Sequence, residues 1–400
     1  MPAPYRPRIA FLTSTDPHNR RSWSGLHYMI AQTLQKHVGE VSYLGPVSLR
    51  YWFGLGDRVN KLIGKLTKGR RYHYSISVLT SKMYAAIFSR KLRQGQYDLI
   101  FAPASYTEFA YLDTPLPIVY CCDSTITQLI DYYAGLSKLL PVSKRELAHI
   151  EQRAISRADL LVYSSHWAGD SATRDFGAPA GKVAVVPFGA NFPVVPARAE
   201  ALHHPLRPGK CQLLFVGVEW VRKGGQIAVD TLRALRARGL DAELTICGCV
   251  PPAGVEAPGL TVIPFLDKNN PEQLSRLVQL YREADFFLLP TRAECAAIAF
   301  CEASSFGLPS FTTDTGGIAD FVEEGVNGYR LPLAAGGEEF AAAIAAALAE
   351  PARYQQLRAT ARDLYEAKLN WDAWGETVGS LLRQRFGAQA DQPSAVSAGL

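Results

Sequence analysis

No apolar run in this 400-residue sequence is long enough to cross a lipid bilayer. A membrane-spanning helix needs about 20 consecutive apolar residues, and the longest runs, 286–290 and the alanine-rich 340–348, are much shorter. The N-terminus also lacks the basic start, apolar stretch and small-residue cleavage site of a signal peptide. We therefore predict a protein of the cytoplasm.

Cysteine is scarce and irregularly spaced, with seven residues in the chain. Cys121 and Cys122 are adjacent, and one residue separates Cys247 from Cys249, so neither pair has the spacing of a zinc knuckle. We expect the cysteines to be small buried hydrophobic residues in a reducing compartment.

Several catalytic motifs are missing. The sequence contains no Asp-x-Asp pair that would hold a divalent cation against a diphosphate. It also contains no Walker loop, no Gly-x-Gly-x-x-Gly after the first predicted strand and no Gly-x-Ser-x-Gly elbow. These absences argue against nucleotide hydrolysis, dinucleotide redox chemistry and serine hydrolysis, and they predict no metal site.

Positive charge is concentrated in one segment, 50–71. It holds seven basic residues and one acidic residue, Asp57, a charge of +6 in a chain whose net charge is +5. Such a local patch argues against a general nucleic-acid binder. Apolar residues recur at helical spacing, and cations form a separate face: Leu55, Val59, Leu62, Ile63, Leu66; Arg58, Lys61, Lys65, Lys68. The segment predicts either a helix that contacts an anionic membrane or a surface helix whose apolar side packs on the N-terminal sheet.

The rest of the chain alternates short apolar strands with helical patterns, and this rhythm predicts two successive parallel α/β sheets with a cleft between them. The predicted strands are 8–13, 41–44, 99–101, 118–120, 160–163, 183–186, 212–216, 242–247, 260–264, 285–289 and 309–312. The rhythm breaks in a stretch rich in proline, alanine and histidine, which we interpret as a linker. The predicted organisation is an N-terminal domain, a linker, a C-terminal domain, a last helix that crosses back and a disordered tail: 1–188, 189–209, 210–370, 371–386 and 387–400.

Two glutamates follow a strand of the second predicted sheet. Glu294 would lie in the loop after the strand, and Glu302 would lie in the next helix. That helix would begin at Ala296, Ala297 and Ile298, where backbone N–H groups and the helix dipole favour a phosphate. A carboxylate further along could accept hydrogen bonds from a ribose diol. The alternative is a solvated helix face.

Two adjacent cations, Arg222 and Lys223, precede a glycine pair that opens a helix in the same domain. Arg222 could bind a diphosphate as a bidentate fork and Lys223 as a point charge. Fixed cations would stabilise the negative charge that develops on a leaving nucleoside diphosphate. The alternative is an exposed helix start.

Two loops of the first sheet carry further candidates. Gly25 lies after the first strand, where a glycine permits close backbone approach to a ligand or simply makes a turn. Asp123 follows the predicted strand 118–120, and its carboxylate could bind sugar hydroxyls or cap the next helix.

The run 291–309, TRAECAAIAFCEASSFGLP, resembles the donor-site signature of glycosyltransferase family 4, in which two glutamates are separated by seven residues and followed by a small-residue helix, a glycine and a proline. The resemblance extends over the C-terminal half. It implies a GT-B fold, with two Rossmann-like parallel-sheet domains facing across a cleft. The chain departs from the family where Cys295, Ala296 and Ala297 replace Gly-Phe-Gly, and where Val218 replaces an arginine.

The resemblance also implies roles for the candidate residues. Glu302 would bind the ribose, Glu294 would lie beside the transferred sugar, and Lys223 with Arg222 would hold the pyrophosphate. Leu266 and Asp267 fall where the family's backbone contacts the base. Gly25 resembles the glycine loop of the family's N-terminal domain, and Asp123 lies near the place where family members often carry a histidine that contacts the transferred sugar.

The implied activity is a retaining, metal-independent hexosyl transfer, without a cofactor, from a nucleotide sugar to a saccharide or lipid-linked saccharide. We expect a role in cell-surface or extracellular polysaccharide synthesis, at the inner face of the membrane if 50–71 contacts lipid, and no nucleic-acid partner. Two alternatives stay open. One is a sugar-nucleotide epimerase-like enzyme on the same architecture. The other is a non-catalytic sugar-nucleotide-binding protein, which the replaced residues at Val218 and 295–297 keep open.

Overall fold

The computed structural model describes residues 6–204, 206–207 and 209–390. The chain divides into two compact units. Unit 1 holds the described residues through Val186 together with those from Trp371 onward, and unit 2 is Pro187–Asn370. Each unit contains one six-stranded sheet in which every strand pairing is parallel. The predicted α/β class with two parallel sheets is confirmed.

Unit 1 is built around strands in the order β2-β1-β3-β4-β5-β6. Its central strands are buried because helices cover both faces of a parallel sheet. The strands are β1 Arg8–Phe11, β2 Glu40–Tyr43, β3 Leu99–Pro103, β4 Ile118–Cys122, β5 Leu160–Tyr163 and β6 Val183–Val185. The helices are α1 Leu26–His37, α2 Arg50–Leu66, α3 Val78–Leu92, α4 Tyr106–Phe109, α5 Ile126–Leu129, α6 Pro141–Arg157 and α7 His166–Phe176. Short 3₁₀ turns occupy Ser22–Gly25, Ala134–Leu136 and Ala180–Lys182.

Unit 2 repeats this plan with the strand order β12-β11-β10-β7-β8-β9. The strands are β7 Lys210–Val216, β8 Asp241–Cys247, β9 Leu260–Ile263, β10 Phe286–Leu289, β11 Ser310–Thr313 and β12 Gly328–Leu331. The helices are α8 Arg198–Leu202, α9 Trp220–Lys223, α10 Gly225–Ala237, α11 Pro271–Glu283, α12 Ile298–Ser305, α13 Gly337–Ala349 and α14 Pro351–Ala367, with a 3₁₀ turn at Ile318–Asp320.

Each sheet has a point where the strand order reverses. In unit 1 the reversal lies between β1 and β3, and in unit 2 it lies between β7 and β10. Loops that leave neighbouring strands at such a point diverge to opposite faces and open a crevice, which is where α/β sheets bind ligands. The loops after β7 and β10 carry the two motifs of the second predicted sheet.

The stretch predicted as a linker, 189–209, is part of unit 2 and contains the helix α8. Two buried arginines of α14 hold its backbone. Arg362 donates to the carbonyl oxygen of Pro196 at 3.0 Å, and Arg358 donates to that of Ala201 at 2.6 Å. The segment has no sequence periodicity because side chains distant in sequence hold its main chain.

The last helix, α15, is Trp371–Ala390 and packs in unit 1. Trp374 is fully buried beside the ring of Phe101, and Asp372 pairs with Lys36 at 2.6 Å. The helix continues four residues past its expected end at Phe386, so the predicted tail is helical in its first four residues. Its sequence there includes alanine and glutamine, which favour helix. The remainder of the predicted tail, 391–400, lies outside the described residues.

Candidate functional site

The two motifs of unit 2 are pinned together at the reversal between β7 and β10. Gly224 ends α9 with φ +77°, and a Cβ there would lie 1.9 Å from the carbonyl oxygen of Pro290, so only glycine fits. The carbonyl oxygen of Arg222 accepts from the backbone N–H of Arg292 at 2.7 Å and from the hydroxyl of Thr291 at 3.1 Å. The end of α9 is therefore fixed against the loop after β10.

This docking brings both predicted cations onto one carboxylate. Glu294 is buried, and its Oε2 accepts from Lys223 Nζ and from Arg222 Nη1, the latter at 3.4 Å. Arg222 also binds Glu219 through two bonds of 3.0 and 2.9 Å, which lower the pKa of Glu219. Charge-assisted bonds of this kind are strong where solvent is scarce. Two cations and two carboxylates thus meet at this end of the sheet, and an anion that bound there would compete with Glu219 and Glu294 for the cations.

Glu302 lies nearby in sequence but has different partners. Its side chain, on α12, is 3% exposed and accepts from Lys268 Nζ and, at 3.0 Å, from the hydroxyl of Tyr281. Burial, followed by the charge of Glu302, raises the pKa of Tyr281 well above its usual value, so the phenol stays protonated and donates. Lys268 also lies 5.0 Å from the ring centroid of Phe192. Glu302 is thus a buried acceptor held in a defined orientation.

The helix α12 begins at Ile298, as expected, with Ala297 as its N-cap. No side-chain hydrogen bond caps the first turn, Ala296 is half-buried, and Ala297 is buried. A helix start of this kind attracts anions through its N–H groups and dipole. The preceding loop is held by a bond of 3.2 Å from the N–H of Gly317 to the carbonyl oxygen of Glu294.

The loop between β9 and α11 carries Leu266 and Asp267, both half-buried. The carboxylate of Asp267 accepts from the backbone N–H of Asn269 at 3.0 Å, and the N–H of Asp267 donates to Gln273 at 2.6 Å. These bonds shape the turn from which Lys268 reaches Glu302. The structure therefore places Asp267 one residue and Leu266 two residues from Lys268, which binds Glu302, the predicted ribose-binding residue.

In unit 1 the predicted glycine loop has three successive residues in the left-handed region. Their φ angles are +46° at Trp23, +56° at Ser24 and +85° at Gly25. Non-glycine residues adopt this region at a cost, and such strain clusters at functional sites. His27 anchors the loop, since its ring contacts the hydroxyl of Ser22 at 3.2 Å and burial lowers its pKa to about 4, which keeps it neutral.

Asp123 lies at the end of β4 and contacts this loop. Its carboxylate accepts from the indole N–H of Trp23 at 3.2 Å and from the hydroxyl of Ser124 at 3.2 Å. The helix-cap alternative for Asp123 is wrong, because Thr125 is the N-cap of α5 and forms a capping box with Gln128. Asp123 thus contacts the glycine loop through Trp23, which lies two residues before Gly25 in the chain.

The helix α2 does not turn its apolar stripe toward the sheet. Of the predicted apolar residues, Ile63 is half-buried, whereas four remain between 48% and 77% exposed: Leu55, Val59, Leu62 and Leu66. Tyr51, 85% exposed, extends this exposed stripe. The packing alternative is wrong for this stripe because the helix contacts its unit through another face, where Gly56 lies against the ring of Tyr74 and Trp52 and Phe53 pack on the core. At about 100° per residue the stripe spans roughly 80° of arc, with Arg58, Lys61 and Lys65 beside it.

Three residues at these sites had no signal in the sequence. Lys268 is one polar residue among several in its loop, Tyr281 reads as a core residue of α11, and Trp23 reads as a loop aromatic. Each acts through a partner distant in the chain, with separations of 34, 21 and 100 residues. Their roles depend on the tertiary structure alone.

All seven cysteines are free and buried, as expected. Over 6–204, 206–207 and 209–390, no three His, Cys, Asp or Glu side chains cluster in a way that could hold a metal ion. In the same part of the chain no helix combines the length and apolar character that crossing a bilayer requires.

Known proteins match the chain in both sequence and fold. Residues 210–350 match the family model described as Glycosyl transferases group 1. A D-inositol 3-phosphate glycosyltransferase of Nocardia farcinica is 29% identical over an alignment of 207 residues, gaps included, and the alignment covers 47% of this chain and 44% of that protein. The chain spans about half the length of the curated relatives it matches first.

Solved structures resemble nearly the whole chain. A sucrose-phosphate synthase of Thermosynechococcus elongatus superposes with a TM-score of 0.66 at 17% identity, over 96% of this chain and 100% of that one. Anabaena HepE, solved with UDP and glucose, superposes with a TM-score of 0.63 at 15% identity, over 95% and 100% of the two chains. This likeness confirms the predicted GT-B fold class of paired Rossmann-like domains.

Proposed function

We propose that the chain transfers a sugar from a nucleotide-sugar donor to a saccharide or lipid-linked saccharide. The match of residues 210–350 to the family model of group 1 glycosyl transferases is the premise. One observation carries the proposal. Inside the matched domain, Arg222 and Lys223 meet the buried Glu294 at the reversal of the sheet, where such folds bind ligands.

In the proposed layout the diphosphate of the donor binds Lys223 and Arg222, which Glu294 holds in place before the donor arrives. The backbone at Ala296, Ala297 and Ile298 adds N–H groups, and Glu302 accepts from the ribose while Lys268 and Tyr281 orient it. A carboxylate oxygen has two lone pairs, so Glu302 can keep both partners and still accept from a diol. Glu294 then lies beside the sugar.

Chemistry follows from where negative charge develops. As the sugar leaves, charge grows on the diphosphate, and the two fixed cations stabilise the transition state more than the ground state. We propose retention through displacement on the same face, in which the leaving phosphate takes the proton of the acceptor hydroxyl. We propose further that the transfer is of the hexosyl type and needs no metal or cofactor, and that the loops with Gly25, Asp123, Leu266 and Asp267 contribute to donor recognition.

We also propose that α2 rests on an anionic membrane, which would place the protein at the inner face of the cell membrane, beside a lipid-linked acceptor for surface polysaccharide. The exposed stripe from Tyr51 to Leu66 supports this, because contiguous apolar surface flanked by cations suits a lipid interface. Binding to anionic but not to neutral vesicles is the expected result.

The test of transfer is release of nucleoside diphosphate from a panel of nucleotide sugars, with and without lipid extracts as acceptor. Acceptor-dependent release supports transfer. An isomerised sugar nucleotide without release would instead indicate an epimerase-like enzyme. Donor binding without any turnover would indicate a non-catalytic binding protein, and either of these two results would refute the proposal.

A further inference from the structure

A second basic site lies in unit 1, at the end of α2 and away from the residues assigned above. It is a cavity of about 890 Å³ between the end of α2 and the segment 131–144. Four cations and one carboxylate line it: Lys68, Arg70, Lys138, Lys144 and Asp131. Asp131 pairs with Lys144 at 2.5 Å, whereas the described residues form no ion pair with Lys68, Arg70 or Lys138. The lining therefore carries an uncompensated positive charge.

The backbone around the cavity is held in strained conformations. Lys68, Asp131 and Lys138 have φ angles of +55°, +63° and +56°, a region that non-glycine residues seldom adopt. Half of the six non-glycine residues with positive φ in the described chain line this one cavity. Such strain persists only where surrounding structure imposes it, and it is typical of ligand sites.

Arg71 imposes that structure. Its N–H donates to the carbonyl oxygen of Lys138 at 3.0 Å, and its own carbonyl oxygen accepts from the N–H of Leu140 at 2.9 Å. Its guanidinium donates to the carbonyl oxygen of Ala134 at 2.9 Å. These bonds tie both walls of the cavity together, so Lys68 and Lys138 are presented on a fixed frame.

The cavity continues the apolar stripe of α2. Leu66 is the last residue of that stripe, is 77% exposed, and also lines the cavity. If the apolar stripe is buried in the membrane, the cavity lies at the depth of the lipid headgroups. The negative groups at that depth are phosphates. We propose that this cavity binds the phosphate of an anionic membrane lipid. The inference rests on the proposed membrane docking of α2 and assigns it a specific headgroup site.

The test compares the full chain with two variants that lose the same charge. Lys68→Asn/Lys138→Asn empties the cavity of two cations, and asparagine tolerates positive φ better than most residues. Arg90→Gln/Arg93→Gln removes two exposed cations of unit 1 outside the cavity. Binding is measured by co-sedimentation with phosphatidylcholine vesicles, with and without phosphatidylglycerol. Leu62→Asp disrupts the stripe alone.

We expect the wild type to bind only the anionic vesicles. The cavity variant should bind them roughly 30-fold more weakly, about fivefold for each lysine near an anionic surface, and the matched control much less so. Arg70→Gln should bind the anionic vesicles about fivefold more weakly. Because Arg70 has no positive φ, this variant tests the cavity even if the double variant does not fold.

Three results would overturn the proposal that the cavity binds a lipid headgroup. If the cavity variant matches its control while Leu62→Asp abolishes binding, docking by α2 stands and the headgroup site falls. If the wild type binds no vesicles, both fall. If inorganic phosphate binds the wild type but not the cavity variant in calorimetry, without any preference for anionic vesicles, the site takes free phosphate and the lipid assignment is wrong. None of these results depends on sugar transfer.

Discussion

The buried carboxyl groups of the two units differ in whether a cation pairs with them. In unit 2, Glu294 and Glu302 each pair with lysine. In unit 1, Glu108 and Glu151 are equally buried, yet the described residues place no lysine or arginine on either. Burial raises the pKa of Glu108, and it raises the pKa of Glu151 to about 8.

This difference in partners bears on whether each buried carboxyl group can be ionised. A lone buried carboxyl avoids the cost of desolvation by holding its proton, whereas a paired one can stay ionised. Glu151 shows the first case, since one oxygen accepts from the N–H of Ile126 and the other has no hydrogen-bond partner among the residues that the structure describes. The buried carboxylates of unit 2 thus hold lysines at the predicted donor site, whereas Glu108 and Glu151 of unit 1 hold no cation among the described residues.

The largest expected effect breaks the ion pair of unit 2. Lys223→Met should lower kcat/KM for nucleoside diphosphate release by on the order of 10²- to 10³-fold, because a fixed cation at the leaving group is lost. Arg222 at 3.4 Å still compensates Glu294, so the fold should survive. The matched control is Arg233→Met on the exposed side of α10, and equal losses in both variants would contradict the assignment.

The next effect tests the uncharged carboxyl of unit 1 through pH. The folded chain holds the Glu151 proton up to about pH 8, while the unfolded chain releases it near its ordinary pKa of 4.5. The folded state therefore binds more protons between these values, and the free energy of unfolding falls as pH rises, by on the order of 1 kcal/mol per pH unit.

Glu151→Gln removes the titration while keeping the shape, so its melting temperature should change less than that of the wild type as pH rises through this window. Glu40→Gln, on the exposed end of β2, should follow the wild type. If the melting temperatures of wild type and Glu151→Gln change in parallel with pH, Glu151 is ionised in the folded chain. That result would refute the proposed difference between the buried carboxyl groups of the two units.

The smallest effect concerns the second pair of unit 2. Glu302→Gln should weaken nucleoside diphosphate binding roughly tenfold, since a neutral acceptor replaces a charged one. Lys268→Met leaves a buried charge and should lower the free energy of unfolding by about 1–3 kcal/mol. Calorimetry with UDP, GDP and ADP measures the binding, and thermal unfolding measures the stability.

The double variant Lys268→Met/Glu302→Gln should recover stability but not binding, because neither side chain is then an unpaired charge. Additive losses of stability would mean that the two side chains do not interact. Glu272→Gln, an exposed carboxylate in the first turn of α11, is the control for general effects of charge on nucleotide affinity.

Local patterns predicted most of the framework. The strands β1 to β11 were each expected within a few residues, because apolar runs between polar loops report burial directly. The strand β12 was missed: its sequence, Gly328 to Leu331, includes an arginine and lies half-exposed at the sheet edge. The glycine and the arginine leave Tyr329 and Leu331 as its apolar residues, which are too few to form an apolar run.

The candidate site divides in the same way. Arg222, Lys223, Glu294 and Glu302 were named because each lies in a short motif that follows a strand. Their pairing could not be predicted, since Lys223 and Glu294 are 71 residues apart and either could have faced solvent. The exposed stripe of α2 was likewise one of two alternatives until the contacts of Gly56 and Trp52 showed which face packs.

The sequence by itself determined the two parallel sheets, the order of their elements and the residue types at the ends of the strands, because these depend on interactions within a few residues of chain. Only the tertiary structure decided which charges meet. In the folded chain Glu302 pairs with Lys268, Glu151 has no cation beside it among the described residues, and the apolar stripe of α2 is exposed. Electrostatic and packing partners are chosen by proximity in space, and no periodicity along the chain encodes that proximity.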